Sequence, residues 1–257
     1  MGGCKIGITG SQIWLYDGTL NKIIKSNVKN IIKNNTFYPS KEYKLKNFYS
    51  SIAFIDSLNF CGIGAFGSSS KSKIDIVNLI SNDVLNKYGE YQIPTDKLKL
   101  ETIRDIHTSV IYSHPTQKKI VLGYRYSDII EIYNLETEEC ITIHGPEKYD
   151  VNFKQEKTSG YFYMGKNKET KKAFINGTVT NQYIYLVYSG HQRENRSEED
   201  RYKWSYGKYV YIYDWNGNPI KRLDLDRHIY TLGVSKNDKN LYSFDINTGY
   251  LIEAKIN

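Results

Sequence analysis

Short runs of alternating apolar and polar residues, each closed by a polar turn, organise most of the chain. One phrase recurs: a strand rich in aromatic and branched residues that ends in Asp or Asn, a turn, then a second strand. It reads Ile13-Trp14-Leu15-Tyr16-Asp17 before Lys22-Ile23-Ile24-Lys25, and Ile130-Glu131-Ile132-Tyr133-Asn134 before Cys140-Ile141-Thr142-Ile143. It returns as Ile74-Asp75-Ile76-Val77-Asn78. Its fullest form is Val210-Tyr211-Ile212-Tyr213-Asp214, the turn Trp215-Asn216-Gly217-Asn218-Pro219, and Ile220-Lys221-Arg222-Leu223. Alternation with a period of two, bounded by such turns, marks half-buried strands, and Asn-Gly tolerates the positive φ of a tight hairpin. Further strands are predicted upstream, at Lys119 to Tyr124 and Gln182 to Tyr188, each after a turn (His114-Pro115-Thr116-Gln117 and Thr180-Asn181). Ser109-Val110-Ile111-Tyr112 supplies an innermost strand. No window sustains a helical period with caps, although Leu79 to Leu85 has room for one short turn.

Four short strands in an up-and-down meander make one blade of a β-propeller. Repetition of that unit predicts an all-β chain, a single propeller domain over 1–257. The expected units are a fragment at 1–30, full blades near 48–92, 103–145 and 172–227, and a three-stranded piece at 229–257. The first and last blades are thus expected to be incomplete, with about five blades and about eighteen strands where a six-bladed ring needs ~24.

Tyrosine, with 24 copies against 2 methionines, fits many strands with one damp face, because its ring packs while its hydroxyl stays wet. Hydrophobic residues at 40% and charged residues at 25% exclude wholesale disorder. The net charge of +7 invites a polyanion partner, but the lysines are spread through turns such as Gln117-Lys118-Lys119 and Lys236-Asn237-Asp238-Lys239, with acids close by. That pattern reads as solvated sheet edges, and nucleic acid is not an expected partner. No run approaches the ~18 apolar residues of a membrane-spanning helix. Met1-Gly2-Gly3-Cys4-Lys5 lacks the apolar core of a secretory signal, and Ile6 stands where a myristoylation signal has Ser or Thr. Cys4, Cys61 and Cys140 lack paired spacing, which leaves room for one disulfide but no zinc knuckle.

The C-terminal half resembles the TolB-like six-bladed propeller family of Gram-negative envelopes. Tyr183-Ile184-Tyr185-Leu186-Val187-Tyr188-Ser189-Gly190, Tyr211 to Ile220, Leu225-Asp226, Asn240-Leu241-Tyr242 and the His114-Pro115 turn before Lys118-Lys119 carry the likeness. It is convincing from about residue 100 onward and weaker before it. The resemblance implies a single propeller of the periplasm or envelope, usually exported behind a lipoprotein signal, with no established common activity; a monomer is expected. Family members are expected to carry an export signal and at least one more blade ahead of Gln12–Asp17; an N-terminally truncated copy is the expectation here.

In a propeller, loops between blades and loops between the second and third strands share one mouth, the usual place for ligands. The insertion from Ser189 to Gly207 falls there, and its Arg, Trp and Tyr are residues that dominate binding hot spots. His191, Arg193, Arg196, Trp204 and Tyr206 are therefore the candidate ligand-binding residues, for a peptide, glycan or partner protein. His107, His144, His191 and His228 lie near blade junctions or in that loop, so His144 and His228 are the speculative metal ligands, although no HxH or HxxxH spacing supports a resident metal. His114 and the turn residues Asp17, Asn134 and Asp214 read as structural. No GxSxG or HExxH occurs, no Cys–His pairing is visible, and no cofactor is expected. The favoured reading is a non-catalytic binding propeller. The rival is a hydrolase or lyase, which needs His144, His228 and an acid such as Asp226 or Asp105 to converge.

Overall fold

The computed structural model describes residues 4–65, 69–94, 97–193, 203–245 and 247–256. Two compact units divide the chain, Met1–Pro94 and Thr95–Asn257. Both are built from antiparallel meanders, the sheets of an all-β propeller.

In the first unit β1 (Cys4–Thr9), β2 (Gln12–Asp17) and β3 (Lys22–Asn27) lead into α1 (Val28–Asn34), and β4 (Lys41–Lys44) then pairs outside β3. The expected fragment at 1–30 is therefore a complete four-stranded sheet. Lys41-Glu42-Tyr43-Lys44 is too short and polar to announce a strand, and it gains its place by pairing Tyr43 with Ile23. A second meander follows: β5 (Ser51–Phe54), β6 (Asn59–Ile63), β7 (Ser72–Asn78) and β8 (Val84–Glu90). Trp14, Tyr16, Ile23, Phe54, Phe60 and Leu79 pack together as its core.

The second unit opens with α2 (Leu100–Ile106) and the meander β9 (Ser109–Ser113), β10 (Lys119–Tyr124), β11 (Ile129–Asn134), β12 (Cys140–His144). A separate hairpin follows, β13 (Lys154–Thr158) with β14 (Tyr161–Gly165). Then come β15 (Phe174–Val179), β16 (Tyr183–Tyr188), β17 (Gly207–Asp214), β18 (Pro219–Ile229), and the three-stranded β19 (Gly233–Val234), β20 (Asn240–Phe244), β21 (Leu251–Lys255). The predicted β10, β11 and β16 agree with the structure to within a residue. The two helices and the 154–165 hairpin were not predicted.

Burial explains the grading of sequence across each meander. The second strands are covered on both faces and read as nearly continuous apolar runs, as in β10 and β16, whereas the fourth strands β12 and β18 are mostly exposed and polar. Ile184, Leu186 and Val187 are fully enclosed, and each such side chain contributes roughly 1.5–3 kcal/mol.

The recurring Asp or Asn has a uniform cause. Asp17 Oδ1 accepts from the Thr19 and Leu20 amides, Asn78 Oδ1 from Ile80 and Ser81, Asn134 Oδ1 from Glu136 and Thr137, and Asp214 Oδ1 from Asn216 and Asn218. Each side chain satisfies the two amides that the reversal exposes. At Asp214, Asn218 also donates to the second carboxylate oxygen, and these bonds hold the carboxyl below its usual range. His114 serves the turn between β9 and β10: its Nδ1 accepts from the Thr116 and Gln117 amides, its Nε2 donates to the Asn181 carbonyl, and its ring lies 4.7 Å from Trp215.

No disulfide joins the three cysteines; Cys61 is buried, and Cys4 and Cys140 are exposed. Among the described residues no helix is long and apolar enough to cross a membrane.

Candidate ligand-binding site

In the second unit, three chain segments at strand ends are tied together by backbone bonds. The β10–β11 connection is Arg125-Tyr126-Ser127-Asp128. Asp128 is fully buried, and its carboxylate accepts from the amides of Glu147, Lys148 and Tyr149, at 2.7, 2.6 and 3.3 Å. That holds the stretch after β12 in place. The Arg125 carbonyl accepts from the Ala173 amide at 2.8 Å, which lays the approach to β15 alongside.

The excursion after β16 then pairs with that approach. The Gly190 amide donates to the Lys172 carbonyl at 2.9 Å, the Lys172 amide to the His191 carbonyl at 3.0 Å, and the Arg193 amide to the Thr170 carbonyl at 3.0 Å. Near its return, Ser189 Oγ donates to the Lys203 carbonyl at 3.0 Å and Trp204 Nε1 to the Thr170 carbonyl at 3.3 Å. Among the described residues the two ends of the loop are thus seated by backbone groups together with side-chain ties from Ser189, Arg193 and Trp204.

Side chains converge on this seat. Lys172 Nζ lies 3.6 Å from the centre of the Trp204 ring, and the Arg193 guanidinium stands 5.9 Å from the same ring. Tyr126 is 6.5 Å from Trp204, and Lys166 Nζ is 5.3 Å from the Tyr126 ring. Cation–π contact is worth about 0.5–2 kcal/mol, so the aromatic rings offset part of the crowding of positive charge. Arg193 also donates to the Lys166 carbonyl at 3.0 Å.

Beside this cluster is a pocket of about 250 Å³ lined by Arg125, Lys172, Ile175, Ser205, Tyr206 and Tyr230. The Tyr206 and Tyr230 rings meet edge to face at 6.1 Å. Arg125 Nε is buried and has no hydrogen-bond partner among the described residues. Burial, and then the like charges of Arg125, Lys166 and Arg193, bring the Lys172 ammonium down to about 7. A lysine there is poised to gain a proton when an anion arrives.

Of the residues singled out in the sequence, Arg193, Trp204 and Tyr206 gather at this seat. Arg196 lies outside the described residues. His191 turns its ring to His228 at 6.5 Å, and burial followed by His191 and neighbouring lysines holds the His228 imidazole below its usual value. His144 sits elsewhere, with Nδ1 3.7 Å from Asp128. Asp105 accepts from the Met164 amide at 3.1 Å, and burial raises its carboxyl, opposed by that bond and by Lys166. Asp226 is engaged by Arg227. No group of three or more His, Cys, Asp or Glu side chains stands at metal-holding spacing among the described residues. Sequence reading missed Arg125, Tyr126, Lys166, Lys172 and Tyr230. One signal was present: Arg125-Tyr126 follows a second strand directly, on the side assigned to the mouth.

Successive meanders closed by Asx turns define the β-propeller class. A family model described as TolB-like 6-blade propeller-like matches residues 3–237, and the chain belongs to that family. Among solved structures, the β-propeller domain of Cps50 (Swd1) from Myceliophteria thermophila is similar at 9% identity, covering 98% of this chain and 83% of that one, with a TM-score of 0.48. A chain of the Mitotic Checkpoint Complex is similar at 9% identity and a TM-score of 0.51, covering 98% of this chain and 63% of that one. At such identity the likeness concerns the fold alone. No curated protein matches.

Proposed function

We propose that the protein is a non-catalytic recognition module that holds a peptide, glycan or partner protein at the connection side of its second unit. One observation carries the reading: a concave pocket whose lining combines Arg125 and Lys172 with Tyr206 and Tyr230, beside Trp204 flanked by cations. A few convergent polar groups among aromatic walls are what binding pockets present, and Trp, Tyr and Arg are the residues that anchor interfaces.

Arrays of peptides and of glycans, probed with the intact protein and with Trp204→Ala and Tyr206→Ala variants, test it. The expected result is a bound class whose affinity falls at least about tenfold in both variants, with thermal melts showing that the fold persists. Equal binding by all three proteins would remove this surface from consideration.

A further inference from the structure

We infer that the pocket between Arg125, Lys172 and the Tyr206–Tyr230 pair receives a carboxylate presented by a peptide, either an Asp or Glu side chain or a free C-terminus. The inference rests on the recognition reading above and narrows it to one ligand chemistry.

Three observations carry it. Arg125, Lys166 and Arg193 lie close enough to act on Lys172, and among the described residues no acid is one of the groups acting on it. The nearby acids are otherwise engaged: Asp105 faces Lys166 and accepts from Met164, while Glu147 pairs with Lys171 and accepts from the Tyr188 hydroxyl at 2.7 Å. Among the described residues the positive field of the pocket is therefore open to a ligand. Second, Arg125 Nε is buried without an acceptor among the described residues, and a buried donor left unmade is a cost that an entering acceptor removes. Third, the charged lining consists only of donors, because guanidinium and ammonium groups accept nothing.

That third point chooses among ligands. Sugar hydroxyls need acceptors as well as donors, and the side chains of the described lining offer acceptors only in the hydroxyls of Ser205, Tyr206 and Tyr230, while both of its charged groups donate. A carboxylate is acceptor-only, and its two coplanar oxygens match the fork of a guanidinium, which Arg125 supplies among the described lining residues. Ile175, Tyr206 and Tyr230 give the apolar part of a peptide a wall, and about 250 Å³ suits one residue rather than an extended polymer.

Lys172 makes the inference readable by pH. In the free protein it titrates near 7, and a bound carboxylate favours its charged form. Affinity is then full below pH 7 and declines as pH rises toward the value of the complex, by at most about tenfold per unit. The groups facing Lys172 are Arg125, Lys166 and Arg193, with Asp105 beyond Lys166 and the phenols of Tyr206 and Tyr230 in the same pocket. Burial, and then His191 and neighbouring lysines, hold His228 below its ordinary imidazole value and so outside the window that the experiment reads.

The test uses the full chain and three peptide libraries with randomised flanks: one capped at both ends with a fixed internal Glu, one capped with Gln in its place, and one with a free C-terminus, whose selected members are also made as amides. Selected peptides are then titrated calorimetrically. The expected result is that the Glu library or the free C-terminal library binds, that the Gln or amidated counterparts bind at least about tenfold more weakly, and that affinity falls about tenfold or more from pH 7 to 9. Whichever carboxylate library binds identifies the source of the anion. Lys172→Arg should keep the affinity and flatten the pH profile, whereas Lys172→Met should lose both. Binding by Gln peptides equal to Glu peptides would overturn the inference, as would preference for phosphoserine peptides or uronate oligosaccharides, or no carboxylate peptide bound at all. A neutral ligand that still depends on Trp204 and Tyr206 would sink the carboxylate while leaving the recognition reading intact.

Discussion

At one end of β11 and β17, Asn134 and Asp214 each fold a hairpin by accepting amides two to four residues away. At the other end of the first of these strands, Asp128 reaches amides 19, 20 and 21 residues on. The same chemistry, an Asx side chain satisfying exposed amides, therefore works locally on the turn side and over long range on the connection side. A local bond restores what one reversal exposes and holds little else. A long-range bond fixes where a second segment runs, so everything seated on that segment depends on it.

The largest effect is accordingly expected at Asp128. Asp128→Ala leaves three amides without their acceptor in a buried place and should cost about 3 kcal/mol, read as a lower midpoint in urea unfolding. It should also weaken ligand capture by loosening the 145–149 stretch, whose Glu147 pairs with Lys171 next to Lys172. Asp214→Ala removes a comparable number of bonds from an exposed turn that water can re-solvate, and about 1 kcal/mol is expected by the same measurement. If the two losses prove equal, the contrast between local and long-range Asx bonds fails. The smallest effect concerns pH. Burial holds His114 below the ordinary imidazole value, so its neutral form favours the fold. Stability should be whole above pH ~6.5 and decline as pH falls through the folded value, a decline that His114→Gln should flatten. Unfolding midpoints at pH 5 and 7 would show it.

Local chemistry is also what the sequence discloses. The Asx-ended strands, the β10 and β16 runs and the His114 turn could be read because every residue that decides them is nearby. The misses have tertiary causes. Residue Lys99, at the N-cap of α2, offers no side-chain cap; Gln155 Oε1 instead accepts from the Lys99 amide and Thr102 hydroxyl, and its amide donates to Lys97. The β13–β14 hairpin is exposed along most of its length, so it lacks the alternation that marks a half-buried strand. At the site, Arg193, Trp204 and Tyr206 stood out as an aromatic, basic insertion. Arg125 and Lys172 resembled ordinary cations at strand ends, and it is tertiary structure, including the bond from the Ala173 amide to the Arg125 carbonyl, that makes them neighbours.

The pairing of 170–173 with 190–193 has a practical consequence. The two ends of the excursion are clasped by main-chain groups, so the sequence between Arg193 and Lys203 offers itself as a grafting point. Foreign sequence could be spliced there while the clasp keeps the pocket walls in register, which would turn this domain into a carrier for displayed epitopes.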